Sequence, residues 1–387
     1  MRTSLAWKNL TNDWRRLMIA SMGITFAAVL MFMQNGFRNA LLDSPVQIVH
    51  ALQGDLFAVS RQKYSLVSES RFPKHLLERA ATDPNVIAVT PIYTELTRAQ
   101  VRVVGKPARP IRVVAAPLQT GVYRDQEIDE QLDLLAKPGV GLFDRQSRSN
   151  FGFQLGDRQR LSQQEIELLG KRLTGVGTFS VGTDFANEGT IVLSADNFGR
   201  YFSFRNRGQP LQIVDLGQIH IKPSADPEMV ASRLTSLAPR DWEVVPRSRI
   251  IHREVAFWSR ETPIGMIFTV GAMMGFAVGV IICYQILFTS IHDSMSEFAT
   301  LKAMGYSNGY FIRLVAMQSV YLAIIGFIPA LLVTMGLFSL VHHLVGLPML
   351  LTPMRIVLVL GLTIAMCLFS GLLAVRKLLN TDPASLF

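Results

Sequence analysis

Charge is what this sequence has least of. Lys, Arg, Asp and Glu together make 17% of its 387 residues, against about 25% in an ordinary soluble domain. Hydrophobic residues make 49%, and the mean hydropathy is +0.29. That balance is too apolar for an ordinary soluble protein, yet enough charge remains for a soluble portion. Cysteine is almost missing. Cys283 and Cys367 both sit inside apolar runs, so no disulfide framework is expected and both read as small packing residues. Chemistry-bearing motifs are missing too. No G-x-x-x-x-G-K-[ST] occurs, which excludes a P-loop ATPase within the chain, and no G-x-S-x-G occurs. There is no H-E-x-x-H: His252 is followed at once by Arg253 and Glu254, the wrong spacing for a zinc pair on a helix. His342 and His343 are adjacent and read as loop residues rather than metal ligands. The chain is expected to bind no cofactor or metal of its own. The formal charge of +9 does not indicate nucleic acid, because no zinc spacing, helix-turn-helix or aromatic RNA-binding pattern accompanies it. Basic residues gathered at the cytoplasmic membrane edge, facing anionic lipid, account for it better.

What is present in quantity is long apolar sequence. Four runs reach the roughly 20 residues a bilayer requires: 17–37, 264–288, 314–341 and 355–375. Pro329 within the third predicts a kink. Arg2, Lys8, Arg15 and Arg16 precede the first run, and Arg376 and Lys377 follow the fourth. The positive-inside rule therefore places both termini and the segment 291–313 in the cytoplasm, with the region between the first two runs outside. The first run is longer than the apolar part of a signal peptide and no small-x-small cleavage site follows, so a retained anchor is expected. Ahead of it, Trp7, Leu10, Trp14 and Leu17 fall at helical spacing, which predicts an amphipathic cytoplasmic helix over 1–16 lying on the membrane.

The region 37–262 holds 29 Lys/Arg and 25 Asp/Glu, a balance suited to a soluble domain, and it reads as mixed α/β. Strands are expected at 55–60, within 85–105 (one or two), at 211–223 and at 242–246, with helices at 73–82 and 226–238. Asp226, Pro227 and Glu228 make an N-cap, a first-position proline and a first-turn acid. Two β-α-β units thus flank an inserted subdomain at about 120–200. Apolar spacing in 38–53 and in 247–263, where Ile250, Ile251, Val255 and Trp258 share a face, predicts helical stalks that prolong the spans outward. The organisation is then 17–53 span and stalk, 54–246 external domain, 247–290 stalk and span, 291–313 cytoplasmic segment, 314–341 and 355–375 spans, and 376–387 cytoplasmic tail.

Two patterns bear on function. Gly271, Gly275 and Gly279 recur every four residues in the second span. One glycine-lined face lets another backbone approach closely, and pairing with a second copy would make a homodimer with these three residues at its interface. In SIHDSMSEFATLKAMGYSNGYF (290–311), Met295, Phe298, Leu301 and Met304 form an apolar stripe on a short helix. Asp293 or Ser294 would cap it, and Gly305 suits its end. Such a helix can rest on lipid or lie in a groove of a partner protein, and its composition does not choose between them. The spans themselves carry almost no ionisable groups in their centres, which argues against an ion-coupled transporter.

EFATLKAMGYSNGYF resembles the E-x-x-x-L-K-A-x-G motif between the second and third spans of FtsX-like permeases, in the MacB-type (type VII) ABC transporter superfamily. The ending DPASLF resembles the D-P-x-x-x-L/F of the same group, and the layout of one span, a large domain and three spans is theirs. The opening, 1–44, further resembles DevC-type exporter permeases. The resemblance implies a four-span α-helical membrane protein with a mixed α/β periplasmic domain of MacB type, in the inner membrane. It implies that Glu297, Phe298, Leu301, Lys302, Ala303, Met304 and Gly305 form the coupling helix that docks on a separate ABC ATPase, DevA-like, which uses ATP and Mg²⁺. It also implies a DevB-like periplasmic adaptor (a membrane fusion protein), a TolC-like outer-membrane channel, and export of glycolipid or another amphiphile by mechanotransmission. The chain itself would be non-catalytic. An FtsX-like scaffold that activates a periplasmic cell-wall hydrolase is the alternative the same resemblance leaves open.

Overall fold

The structure is a computed structural model and describes residues 14–184, 186–293, 304, 307–345, 349 and 351–379. In chain order the α-helices are α1 (Trp14–Asp43), α2 (Gln47–Ala51), α3 (His75–Ala80), α4 (Gln126–Asp129), α5 (Arg158–Gln163), α6 (Ala195–Tyr201), α7 (Pro227–Thr235), α8 (Arg247–Ala256), α9 (Pro263–Asp293), α10 (Asn308–Val345) and α11 (Pro353–Leu379). The strands are β1 (Leu56–Ser60), β2 (Phe72–Pro73), β3 (Val86–Glu95), β4 (Gln100–Val103), β5 (Arg109–Pro110), β6 (Arg112–Ala116), β7 (Val140–Asp144), β8 (Ile166–Leu168), β9 (Lys171–Phe179), β10 (Thr190–Ser194), β11 (Ile213–Val214), β12 (Leu216–Ile221) and β13 (Trp242–Pro246). They form two compact units, one of 40–263 with 344–348 and one of the remaining residues.

The helical unit rests on α1, α9, α10 and α11. Each is long and apolar enough to cross a membrane, with best-window mean hydropathies of 1.9, 2.3, 2.4 and 2.6. The four expected spans fall inside them, and each helix runs a few residues further into polar sequence. Their shared core includes Ile24, Ala27, Ala28, Leu322, Ala323, Met366 and Cys367. Small residues bring the helices close. A Cβ at Gly326 of α10 would lie 2.6 Å from the Ile24 side chain of α1, and Thr25 Oγ1 donates to the Gly326 carbonyl at 2.9 Å. That bond lies beside the carbonyl of Ile325, which Pro329 cannot bond for want of an N–H. Cys283 and Cys367 are free thiols packed against each other, Sγ to Sγ 3.6 Å, in keeping with the apolar packing role expected of them.

In the other unit a single sheet of eleven strands runs in the order β13-β1-β12-β3-β6-β10-β7-β9-β8-β4-β5, and β2 pairs with β11 in a separate ribbon. The expected strands and helices form here: β1 within 55–60, α3 within 73–82, β3 and β4 from 85–105, β12 within 211–223, α7 within 226–238 and β13 at 242–246. Asp226 Oδ1 accepts from the Glu228 N–H at 3.0 Å, so the cap read from the sequence is made. The β-α-β units interleave rather than stand side by side. β12 lies antiparallel between β1 and β3, and β1 lies antiparallel between β12 and β13. The stretch 120–200, expected as an insertion, adds β7, β8, β9 and β10 to the same sheet, with β10 parallel to β6 and β9 parallel to β7.

The central strands are buried on both sides, which their alternation shows. Leu56 and Ala58 of β1, with Val113 and Ala115 of β6, enter one core beside α3, α6 and α7. Phe57 and Val59, with Val114 and Ala116, enter the other. That second core also contains Val49 of α2 and Ile250 of α8. The segments leading out of α1 and into α9 therefore pack on one and the same face of the sheet.

Candidate functional site

Of the residues expected to form a coupling helix, Met304 alone is described; it lies in a turn and is 63% exposed. Glu297, Phe298, Leu301, Lys302, Ala303 and Gly305 lie outside the described residues, as do 1–13 and the DPASLF ending. What is described is the frame: α9 ends at Asp293, and the Tyr310 N–H bonds the Ser307 carbonyl (2.9 Å) where α10 begins. In α9 the ionisable side chains are His292 and Asp293 at its end; in α10 and α11 they likewise cluster at the ends, at Arg313, His342 and His343, and at Arg355, Arg376 and Lys377. Among the described residues, no cluster of His, Cys, Asp and Glu has the makings of a metal site.

Gly271, Gly275 and Gly279 do line one face of α9. Within this chain that face meets α1. A Cβ at Gly271 would lie 2.6 Å from Gln34 Oε1, one at Gly275 3.8 Å from Leu30 Cβ, and one at Gly279 3.0 Å from Ala27 Cβ, with the Met366 thioether of α11 closer still. The close approach that glycine permits is used by two helices of one protomer. The opposite side of α9 carries Met266, Met273 and Ile281, each 60% or more exposed.

The α/β unit holds a charged cluster that sequence reading did not find. After β1 the chain crosses to β2 as a strap, residues 61–71, with no regular secondary structure. At its far end Arg71 Nε donates to Asp215 Oδ1 at 2.9 Å and Nη2 to Glu95 Oε2 at 3.2 Å. Arg205 Nη2 donates to Asp215 Oδ2 at 2.7 Å, and its guanidinium lies 4.9 Å from the Phe198 ring centroid. The Glu95 side chain is fully buried. Burial, then the neighbouring Glu69, pushes its carboxyl up to about 7 despite the two arginines. Lys63, 4% exposed, donates to the Ser68 carbonyl within the strap. Burial lowers its ammonium to about 8. Lys63, Leu66 and Val67 of the strap cover a cavity of about 40 Å³ whose other walls include Pro45, Ile48, Ile92 and Thr94, room for about three waters.

Against the middle of the strap stands Glu254 of α8, 1% exposed. It accepts from Ser65 Oγ (2.8 Å), the Leu66 N–H (2.7 Å) and Trp258 Nε1 (2.8 Å). Burial raises the pKa of its carboxyl, and those three bonds work the other way. The sequence carried a sign of this: Ile250, Glu254 and Trp258 recur every four residues, so an acid interrupts the apolar face of the expected stalk. An acid on such a face implies buried donors opposite.

The fold thus defines a class, a membrane protein of four long apolar helices with one folded α/β domain between the first two. Residues 269–383 match the FtsX-like permease C-terminal family, so the resemblance carried by EFATLKAMGYSNGYF holds over the segment containing α10, α11 and most of α9. No curated protein matches. Among solved structures, the chain is similar to the periplasmic region of MacB from Actinobacillus actinomycetemcomitans (10% identity, 53% of this chain and 94% of that one, TM-score 0.35). It is also similar to the extracellular domain of the noncanonic ABC-type transporter YknZ from Gram-positive bacteria (10% identity, 50% and 98%, TM-score 0.33). A third likeness is to a domain of a permease protein from Porphyromonas gingivalis (12% identity, 50% and 91%, TM-score 0.33).

Proposed function

We propose that this chain is the non-catalytic permease subunit of an ABC exporter, driven by a separate ATPase and working by mechanotransmission. The observation that carries the reading is the match of 269–383 to the FtsX-like permease C-terminal family. Two features of the chain support the mechanism. The long helices keep ionisable groups to their ends, so cargo has no polar path between them. The stalk segments on either side of the α/β unit pack on one face of its sheet, so movement of either stalk bears on that sheet. Segment 297–305 receives force from the ATPase as that partner binds ATP with Mg²⁺, and the stalks relay it outward. The protein sits in the inner membrane with both termini cytoplasmic and the α/β unit in the periplasm. There it works as a homodimer with a DevB-like adaptor and a TolC-like channel, in the manner of DevC-type permeases. An amphiphile such as glycolipid is the cargo.

The test is co-purification. The wild-type chain brings down an ABC ATPase from native membranes, and Leu301→Asp, which places a charge on the apolar stripe, reduces recovery at least tenfold while the chain still inserts. Undiminished recovery with Leu301→Asp removes 297–305 as the docking element.

A further inference from the structure

Three donors converge on one carboxylate in the stalk helix. Glu254 Oε1 takes Ser65 Oγ and Trp258 Nε1, both at 2.8 Å, and Oε2 takes the Leu66 N–H at 2.7 Å. Ser65 and Leu66 belong to the strap, Trp258 to the stalk. The strap is therefore held by α8 at its middle and by the Arg71–Asp215 and Arg71–Glu95 pairs at its far end. Tyr64 of the strap adds a ring contact to Phe257, centroids 5.5 Å apart. Directly beyond Glu254 the stalk leaves α-helical geometry: Phe257–Glu261 is a π-helical turn, and Thr262 is extended at φ −100° and ψ 142°. Such turns are frequent at functional sites. The tie thus sits at the last regular α-helical turn before this break in the stalk.

We infer that Glu254 couples the stalk helix to the strap, so that residues 61–71 follow α8 whenever that helix moves. The coupling deepens the mechanotransmission reading and rests on it for its purpose. It names the element through which the stalk acts on the sheet: α8 pulls the strap, and the strap pulls Arg71 against Asp215 and Glu95. It also shifts the cover of the cavity lined by Lys63 and Leu66.

Only an acceptor at both oxygens satisfies all three donors. A glutamine at 254 has one acceptor oxygen and an amide that donates; the Ser65 hydroxyl can turn to accept from that amide, but the Leu66 N–H and Trp258 Nε1–H can only donate, so one of those two is left without an acceptor, which is expensive for a buried donor. Glu254→Gln therefore loosens the tie with almost no change of volume.

The experiment is amide hydrogen exchange read by mass spectrometry on the full chain in lipid nanodiscs. Expected in Glu254→Gln is exchange at least tenfold faster in peptides covering 61–71, with peptides of β7 and β9 unchanged as the sign of an intact fold. Strap peptides that exchange as in wild type overturn the inference. Should Glu254→Gln fail to accumulate, Ser65→Ala removes the strap's side-chain donor and carries the same comparison with a smaller effect. A second arm uses the complex with its co-purified ATPase, with and without a non-hydrolysable ATP analogue. Wild type shows nucleotide-dependent exchange in both 247–256 and 61–71, and Glu254→Gln keeps the first and loses the second. A strap in Glu254→Gln that still responds as in wild type overturns the coupling. Absence of any response in wild-type 247–256, with the ATPase bound, instead overturns the mechanotransmission reading, and the nanodisc arm then decides the tie by itself.

Discussion

Glu95 shows how much a single buried acid can say about pH. Its ordinary value is 4.5 and it is pushed up to about 7, chiefly by burial and secondly by Glu69. A folded-state pKa above the unfolded one means that the folded protein keeps a proton the unfolded chain releases. The resulting stabilisation is whole below about 4.5 and is lost as pH rises through about 7. Glu95→Gln, which keeps the neutral form at every pH, is expected to flatten that decline by roughly 1–3 kcal/mol, measured as the pH dependence of the α/β unit's unfolding midpoint in the full chain. A slope unchanged by the substitution would assign the decline to other groups. Lys63 works in a separate window and with the opposite sense. Its folded pKa is lowered from 10.5 to about 8, so its contribution rises as pH climbs between those values, and Lys63→Met should remove that rise. Neither residue announced itself in the sequence. The Asp226 cap did, because its partner is two residues away; Glu95 finds Arg71 24 positions away and Glu254 finds Ser65 189 positions away, beyond the reach of local pattern, and it is burial in the folded unit that shifts Lys63.

Elements were more legible than residues, and for the same reason. Apolar runs name long helices by composition alone, and the strands expected at 55–60, 211–223 and 242–246 are β1, β12 and β13. The lateral order of the strands was not legible, since β1 takes both of its neighbours, β12 and β13, from the far end of the domain, and parallel pairing of β6 with β10 joins residues about 78 apart. The residues 120–200 read as an insertion because they are rich in Gly, Arg and Asp and lie between the two β-α-β units, yet strand pairing places their strands in the common sheet. Helix packing has its own test. A Cβ at Gly326 would meet the Ile24 side chain at 2.6 Å and the Ser21 carbonyl at 3.4 Å, while one at Gly336 meets nothing within 4 Å. Gly326→Leu should therefore push α1 and α10 apart and destabilise by about 1–3 kcal/mol. Gly336→Leu, on the same helix with the same added volume, should stay within about 0.5 kcal/mol. Thermal unfolding in detergent compares them, and equal losses would mean that α10 does not meet α1 at Gly326.

For the whole molecule the open choice is what the glycine face of α9 serves. The spacing of Gly271, Gly275 and Gly279 suggested contact with a second copy, but spacing reports only that some backbone comes close. The structure assigns that approach to α1 of the same chain, so a homodimer would have to use another surface; the exposed methionine side of α9 is available. The two uses are separable by one cross-link. Cβ atoms at positions 30 and 275 would stand 3.8 Å apart, the usual separation in a disulfide. Leu30→Cys with Gly275→Cys, in a chain whose Cys283 and Cys367 are replaced by Ala, should oxidise within one protomer. Proteolysis between β1 and β13 would then leave two fragments joined until reductant is added, at monomer mass. In parallel, Met273→Cys alone should link two chains if copies pair through the exposed side. Were the Leu30→Cys, Gly275→Cys pair to yield covalent dimers and no intrachain bond, α1 and α9 would be partners across copies, and the homodimer would be built on the glycines after all.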